Sequence, residues 1–410
     1  MIKTGKAPVT ILTYLAIMSV CFVINLPGIS IAPMEGKLRA ILHLPELEVQ
    51  LLTTLPNFVI IPVLLLSGKI SLYKNKLPWI ICALTLYLFC AIAYLFADSV
   101  LFIIIISCLL GCANGLLIPF AMGFIVNTFY GKYRTRQLGM KSAISNLSVV
   151  LGSIAVGFLI NSKNWHLPFV VYLAVAIPLI FSYWLKNVPG ITTELNQGNK
   201  KDSLTQAIDM KKIWALIFNN ISFSFLAMAV IIYLPQLIEG FGWNPEITGE
   251  ITAVFFISVL VAGFLLLPVI RILKEFTFFG IALFLLIGLF FLTFIHTVWS
   301  MYLGAVFSGM AFGIFQPFIY DKTSYAVTDS RKTIIALSFV LTALYAAIAI
   351  EPFIITGICR LFKILNENYF VFKLSFFLTI AYAFAAFVLR HEFGFSVEKE
   401  YISEPDEDMM

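Results

Sequence analysis

Glu351 is the side chain of greatest chemical consequence in this 410-residue chain. It lies deep in an apolar run, is followed by Pro352 and has no basic neighbour in sequence. An ionised carboxylate in such surroundings costs several kcal/mol unless it is paired or wetted. That marks Glu351 as a proton-coupling or ligand-contacting acid. The plainer alternative is a carboxylate near the end of its run, hydrated or paired with Arg360. Asp321, beside Lys322 at the end of another run, is the second proton-coupling candidate. It reads more readily as an interfacial gate or salt bridge.

A scatter of neutral polar residues within apolar runs comes next: Asn25, Asn57, Asn114, Asn146, Asn219, Asn220, Gln236 and Gln316. Amides in hydrocarbon need partners, so they face a helix-bundle interior, lining a cavity or bonding across helices. Tyr233, Tyr320 and Tyr345 add amphipathic contacts. Ser142, Ser145, Asn146, Val149, Gly152 and Ser153 mark one small, partly polar helix face, which suits close packing as well as a ligand path. No clustered His, Asp or Ser points to an enzyme. The six cysteines form no CxxC pair, and Cys108 with Cys112 reads as packing, so neither a metal nor a cofactor is expected.

The elements that must position these residues are membrane helices. The chain is 60% hydrophobic and 12% charged, where soluble domains carry about 25% charge. Its apolar runs are about twenty residues long, the length a helix needs to cross hydrocarbon. Twelve spans are predicted: 8–33, 47–69, 77–97, 100–127, 138–162, 167–187, 212–237, 246–270, 277–296, 300–323, 333–358 and 369–390. The fold class is therefore an all-α polytopic membrane protein of twelve transmembrane helices. Residues 1–187 form an N-terminal six-helix bundle and 212–391 a C-terminal one. Between them 188–211 is a cytoplasmic central loop, and 392–410 is an acidic cytoplasmic tail. With both termini cytoplasmic, the inner segments hold 21 of the 27 Lys and Arg residues, which fixes the orientation. The location follows as a multi-pass plasma (inner) membrane protein.

The two halves repeat. Gly111, Ala113, Gly115, Pro119 and Phe120 return 198 residues later as Gly309, Ala311, Gly313, Pro317 and Phe318. Pro45-Glu46 and Pro245-Glu246 echo one another at an offset of 200. A doubled bundle is the signature of a transporter that rocks one half against the other. The paired glycines and prolines then serve helix packing and gating, as do Gly152 and Gly157 in the fifth span.

On these residues the chain resembles the major facilitator superfamily, over essentially its whole length. Asn127-Thr-Phe-Tyr-Gly-Lys-Tyr-Arg134-Thr-Arg136, with Gly139 and Trp165-His-Leu-Pro-Phe169, is similar to drug–proton antiporter-like and cyanate-permease-like members. Leu51-Leu-Thr-Thr-Leu-Pro56 is similar to the latter. The loop Gly68-Lys-Ile-Ser-Leu72-Tyr-Lys-Asn75-Lys76 keeps the family's Gly68 and Lys76, but Leu72 replaces its acid. The charge latch between halves that the resemblance implies is thus absent or differently built. Ser107 stands where the family often has Arg in the fourth span. Gly152 and Gly157 keep only the ends of its antiporter motif.

The resemblance implies two pseudo-symmetric six-helix halves and a secondary active transporter working by alternating access. Its partners are a small-molecule solute, protons and the lipid bilayer, with no nucleic acid, and the chain is expected to be a monomer. No basic residue is seen in the middle of any span, which argues for a neutral or amphipathic solute. Proton-coupled efflux is the leading expectation. Proton-coupled uptake of a small solute and lipid or glycolipid flipping are the alternatives.

Overall fold

The computed structural model describes residues 9–28, 46–73, 75–160, 164–189, 191, 207–244, 246–329, 332–362 and 367–390. Most of the central loop, the acidic tail, the Pro45 and Pro245 echoes and the side chains of 51–54 lie outside the described residues.

Twelve helical spans are present among them. The first half comprises α1 (Ile11–Val23), α2 (Glu46–Ile70), α3 (Leu77–Tyr94), α4 (Val100–Thr128), α5 (Gly131–Ile160) and α6 (Ala176–Phe181). The last is lengthened on both sides by 3-10 turns, Leu167–Val175 and Ser182–Asn187. The second half comprises α7 (Met210–Gly240), α8 (Glu246–Leu273), α9 (Thr277–Phe294), α10 (Val298–Tyr325), α11 (Thr333–Phe362) and α12 (Glu367–Val388). Their length and apolar character make this a multi-pass membrane protein.

Helix starts repeat between the halves as the glycines do. Thr10 caps α1 and Asp209 caps α7, each accepting from the backbone N–H three residues on. Ser99 caps α4 in the same way, and Thr297, 198 positions later, caps α10 with a capping box.

Within each half the repeated glycines bring the same pair of helices into contact. A Cβ on Gly111 would stand 2.8 Å from the Pro56 carbonyl oxygen, and one on Gly115 would crowd Ile60 and Val63, so α4 lies directly on α2. A Cβ on Gly309 would stand 2.5 Å from the Phe255 carbonyl oxygen, and one on Gly313 2.7 Å from that of Val259, so α10 lies on α8. Small residues let membrane helices approach to backbone contact, where dispersion accumulates.

The two halves meet along α2 with α11 and along α5 with α8. At the second seam the backbones touch. A Cβ on Gly263 would stand 2.5 Å from the Gly139 carbonyl oxygen, and one on Gly139 would collide with that of Gly263. Near the first, Gly68 packs on Ser338 and Gly123 on Ile334.

Two predicted boundaries are corrected. The fifth span begins at Gly131, not 138, so the stretch holding Arg134 and Arg136 is helix rather than loop. Gly131, at a φ of 53°, makes the turn that lets α5 start so soon after α4. The first helix ends at Val23 and is followed by a short 3-10 turn, Leu26–Gly28.

Candidate functional site

Where α5 meets α10, the halves are joined by charge. The Arg134 Nε–H donates to Asp321 Oδ1 at 2.9 Å, and the Thr135 hydroxyl donates to Oδ2 at 2.8 Å. The Arg134 guanidinium also stacks on the Tyr325 ring, 4.0 Å from its centre. Asp321 is 0% exposed. The sequence pairs Asp321 with its neighbour Lys322, whereas in the fold its partner comes from the other half. Lys322 is also fully buried and lies over the Phe318 and Tyr325 rings. A charged contact between the halves is thus present at Arg134 and Asp321, away from Leu72, which is exposed. Arg136 takes no part in it. Two helical residues apart means roughly 200° of rotation, and Arg136 is exposed.

The ends of the central segment are tied to this same end of the bundle. The Lys76 backbone N–H donates to the Ile191 carbonyl at 3.1 Å, and the Asp209 N–H donates to Ala326 at 2.9 Å. Lys76 is itself buried at the α2–α3 turn, and that desolvation lowers its pKa.

Above the latch, α7, α10 and α11 enclose a polar cluster. The Asn220 Nδ2 donates to the Val340 carbonyl at 2.7 Å, and the Ser224 hydroxyl to Asn220 Oδ1 at 3.1 Å. The Gln316 Nε2 reaches Ser224 Oγ at 3.3 Å and Asn220 Oδ1 at 3.4 Å, while the Tyr320 hydroxyl donates to Gln316 Oε1 at 2.5 Å. Three of the candidates, Asn220, Gln316 and Tyr320, therefore form one network with the added Ser224.

Other candidates fall elsewhere. Asn219, one residue from Asn220, turns to α12 and accepts from the Tyr382 hydroxyl at 2.5 Å. Asn146 donates back to the Ser142 carbonyl within α5 at 2.7 Å. Asn114 is buried, with an Oδ1 that has no partner among the described residues. Gln236 Oε1 is likewise buried without a partner. Asn25 and Asn57 are half-buried, and Tyr233 is buried. Ser107 shares a 2.6 Å hydrogen bond with the Tyr94 hydroxyl, so this position joins α4 to α3. Pro119, Pro317 and Gly152 are buried within their helices. Gly157 is exposed and a Cβ there would meet nothing within 4 Å, so it packs against no helix.

Glu351 sits on the buried face of α11, with Leu344, Ala347 and Ile355 one or two turns away. It is 0% exposed, and neither carboxyl oxygen has a hydrogen-bond partner among the described residues. Arg360, its conceivable ion-pair partner, is exposed and forms no bridge with it. Asn220 contacts α11 at Val340, and α7 and α11 run parallel.

One residue escaped the sequence reasoning. Lys141 lies inside the predicted fifth span and inside α5, between the Gln137 and Ser145 contacts with α1. The expectation of no basic residue in the middle of a span is therefore corrected at Lys141, which lies well inside α5, whereas Lys322 stands in the last turn of α10. The signal available in sequence was Lys141 itself, ten residues beyond the turn-forming Gly131.

The model of the Major Facilitator Superfamily matches residues 9–350. Among curated proteins, a stretch of 123 residues is 28% identical to a multidrug transporter protein, MdtP, of Bacillus subtilis (strain 168). That stretch covers 30% of this chain and 22% of the relative, so the match spans less than a quarter of the relative's length. Among solved structures, a proton:xylose symporter of the same superfamily, XylE, bound to 6-bromo-6-deoxy-D-glucose, superposes with a TM-score of 0.70 at 14% identity. It covers 92% of this chain and 95% of that one, and at this identity it shows the fold.

Proposed function

The chain belongs to the major facilitator superfamily and is a transporter, and we propose that it moves a small amphipathic organic solute outward by alternating access, coupled to protons through Glu351. The supporting observation is the state of that carboxyl: fully buried in a spanning helix with neither oxygen bonded. A carboxylate so placed has nothing to replace its lost hydration. Its charge then comes and goes with water access, and water access is what alternates when two halves rock. Asp321, the other embedded acid, is occupied by Arg134 and Thr135. It serves as a latch on the closed end, which the basic-residue asymmetry makes the cytoplasmic one. The pathway walls in this reading are the Asn220–Gln316–Tyr320 cluster and the side chains of Asn114 and Gln236, whose amide oxygens have no partner among the described residues.

The partial likeness to a multidrug transporter favours export of amphipathic solutes. Proton-coupled uptake uses the same parts in reverse order. Full-length protein in proteoliposomes, given a panel of amphipathic solutes and an imposed pH gradient, tests both. Export predicts solute movement against proton flow, and uptake predicts movement with it. Flux that ignores the gradient for every transported solute removes the proton-coupled reading.

A further inference from the structure

Lys141 stands on a helix face whose neighbours are all accounted for. Arg134, Gln137, Lys141 and Ser145 fall at i, i+3, i+7 and i+11, one side of α5. Arg134 reaches across to Asp321 of α10 at 2.9 Å. Gln137 Oε1 accepts from the Tyr14 hydroxyl of α1 at 3.0 Å, and the Ser145 hydroxyl donates to the Cys21 carbonyl of α1 at 2.6 Å. Lys141 therefore looks into the space bounded by α1 and α10, two turns or roughly 10.5 Å above the latch.

Its ammonium lies within electrostatic reach of Cys21, which is 0% exposed and near the far end of α1. That position argues against a lysine whose stem carries its charge back to the interface. The side chain is half-buried, so it is open on one side. It makes no hydrogen bond or ion pair among the described residues. The acids described within the spans and at their ends are engaged or remote. Asp321 holds Arg134, while Asp98, Asp209, Glu239, Glu250 and Glu275 lie at helix ends or between helices. Glu351 has no hydrogen-bond partner among the described residues, Lys141 included.

An embedded cation without a counter-charge is costly to keep, and such residues mark ligand paths. We propose that Lys141 is the solute-recognition cation of the pathway, and that the solute is an amphipathic organic anion bearing one carboxylate-like oxyanion on an apolar body. A single ammonium is a point charge with three donors, suited to one monovalent oxyanion. Phosphate esters are commonly held by forked guanidinium contacts instead. The apolar part of the solute has the partly buried Met140 and Ile144, on either side of Lys141 in α5, to lie against. This inference rests on the transporter reading above and narrows its solute class.

Equilibrium binding of para-alkylbenzoates and the matching benzamides to the purified full chain tests it. Wild type should bind the acids roughly tenfold or more tighter than the amides, as expected for charge-assisted hydrogen bonding. Lys141→Met should bring the acids down to the amide level, and Lys141→Arg should keep the preference. If Lys141→Met does not insert, Lys141→Gln carries the same comparison. Equal binding of acid and amide to wild type, no binding of the acids, or a preference that survives loss of the ammonium overturns the proposal. Flux under a pH gradient separates the two readings. An acid preference without a gradient response removes proton coupling and leaves Lys141 standing. Gradient-driven flux indifferent to acid or amide removes Lys141 and leaves the transporter reading intact.

Discussion

Asp321→Asn should open the end of the bundle that the latch holds shut. The carboxylate is 0% exposed and accepts from Arg134 at 2.9 Å and from Thr135 at 2.8 Å. The asparagine keeps the shape and loses the charge, so the guanidinium buried against Tyr325 loses the Asp321 anion. Orphaning one member of a buried pair costs about 3–5 kcal/mol. The penalty falls only on the closed arrangement, because parting the halves lets water reach Arg134. At about 3 kcal/mol the shift is roughly hundredfold, enough to bring a 99:1 preference near parity. Spin labels at Lys132→Cys and Thr328→Cys, one on each half, report the separation by pulsed electron resonance. With the six native cysteines replaced by alanine, the expected result is a single short distance in the chain with Asp321 intact and a substantial long component with Asp321→Asn. Replacing both partners, Arg134→Met with Asp321→Leu, removes the charges instead of orphaning one and should restore much of the short population. An unchanged distribution in Asp321→Asn would refute the latch.

Other outcomes follow from the seams and the polar cluster. Gly115→Leu and Gly313→Leu should each slow transport severely, because side chains there must displace α2 or α8 backbone; wild-type flux in both variants removes the mechanical meaning of the repeat. Gln316→Leu strands the Tyr320 hydroxyl and loosens Ser224, at a cost of about 1–3 kcal/mol. It should lower the unfolding temperature and weaken solute binding severalfold, and unchanged solute affinity would take the cluster out of the pathway.

What the sequence disclosed is what depends on local sterics. Gly111, Gly115, Gly309 and Gly313 recur because close helix crossings exclude a Cβ, and that constraint is written at the position itself. Arg134 and Asp321 are 187 positions apart, and nothing local to either says that they meet. Asn219 and Asn220 read identically as embedded amides, yet about 100° of helix rotation sends one to Tyr382 and the other to Val340. The start of α5 was hidden because Lys132, Arg134 and Arg136 dilute its apolar pattern, although a turn-forming glycine stands before them. Lys141 lies inside the fifth span in both readings, and what the sequence did not show is that its helix face is shared with the Arg134, Gln137 and Ser145 contacts. Gly157 was credited with packing on a motif match alone, and its surroundings are open.

The most direct test of proton coupling is solute-driven proton movement in sealed proteoliposomes holding a pH-sensitive dye. Adding a transported solute should change the lumenal pH with wild-type protein. With Glu351→Gln the pH should stay flat, while solute counterflow continues because exchange without coupling needs no charge at that position. Proton movement at the wild-type rate in Glu351→Gln would contradict the account.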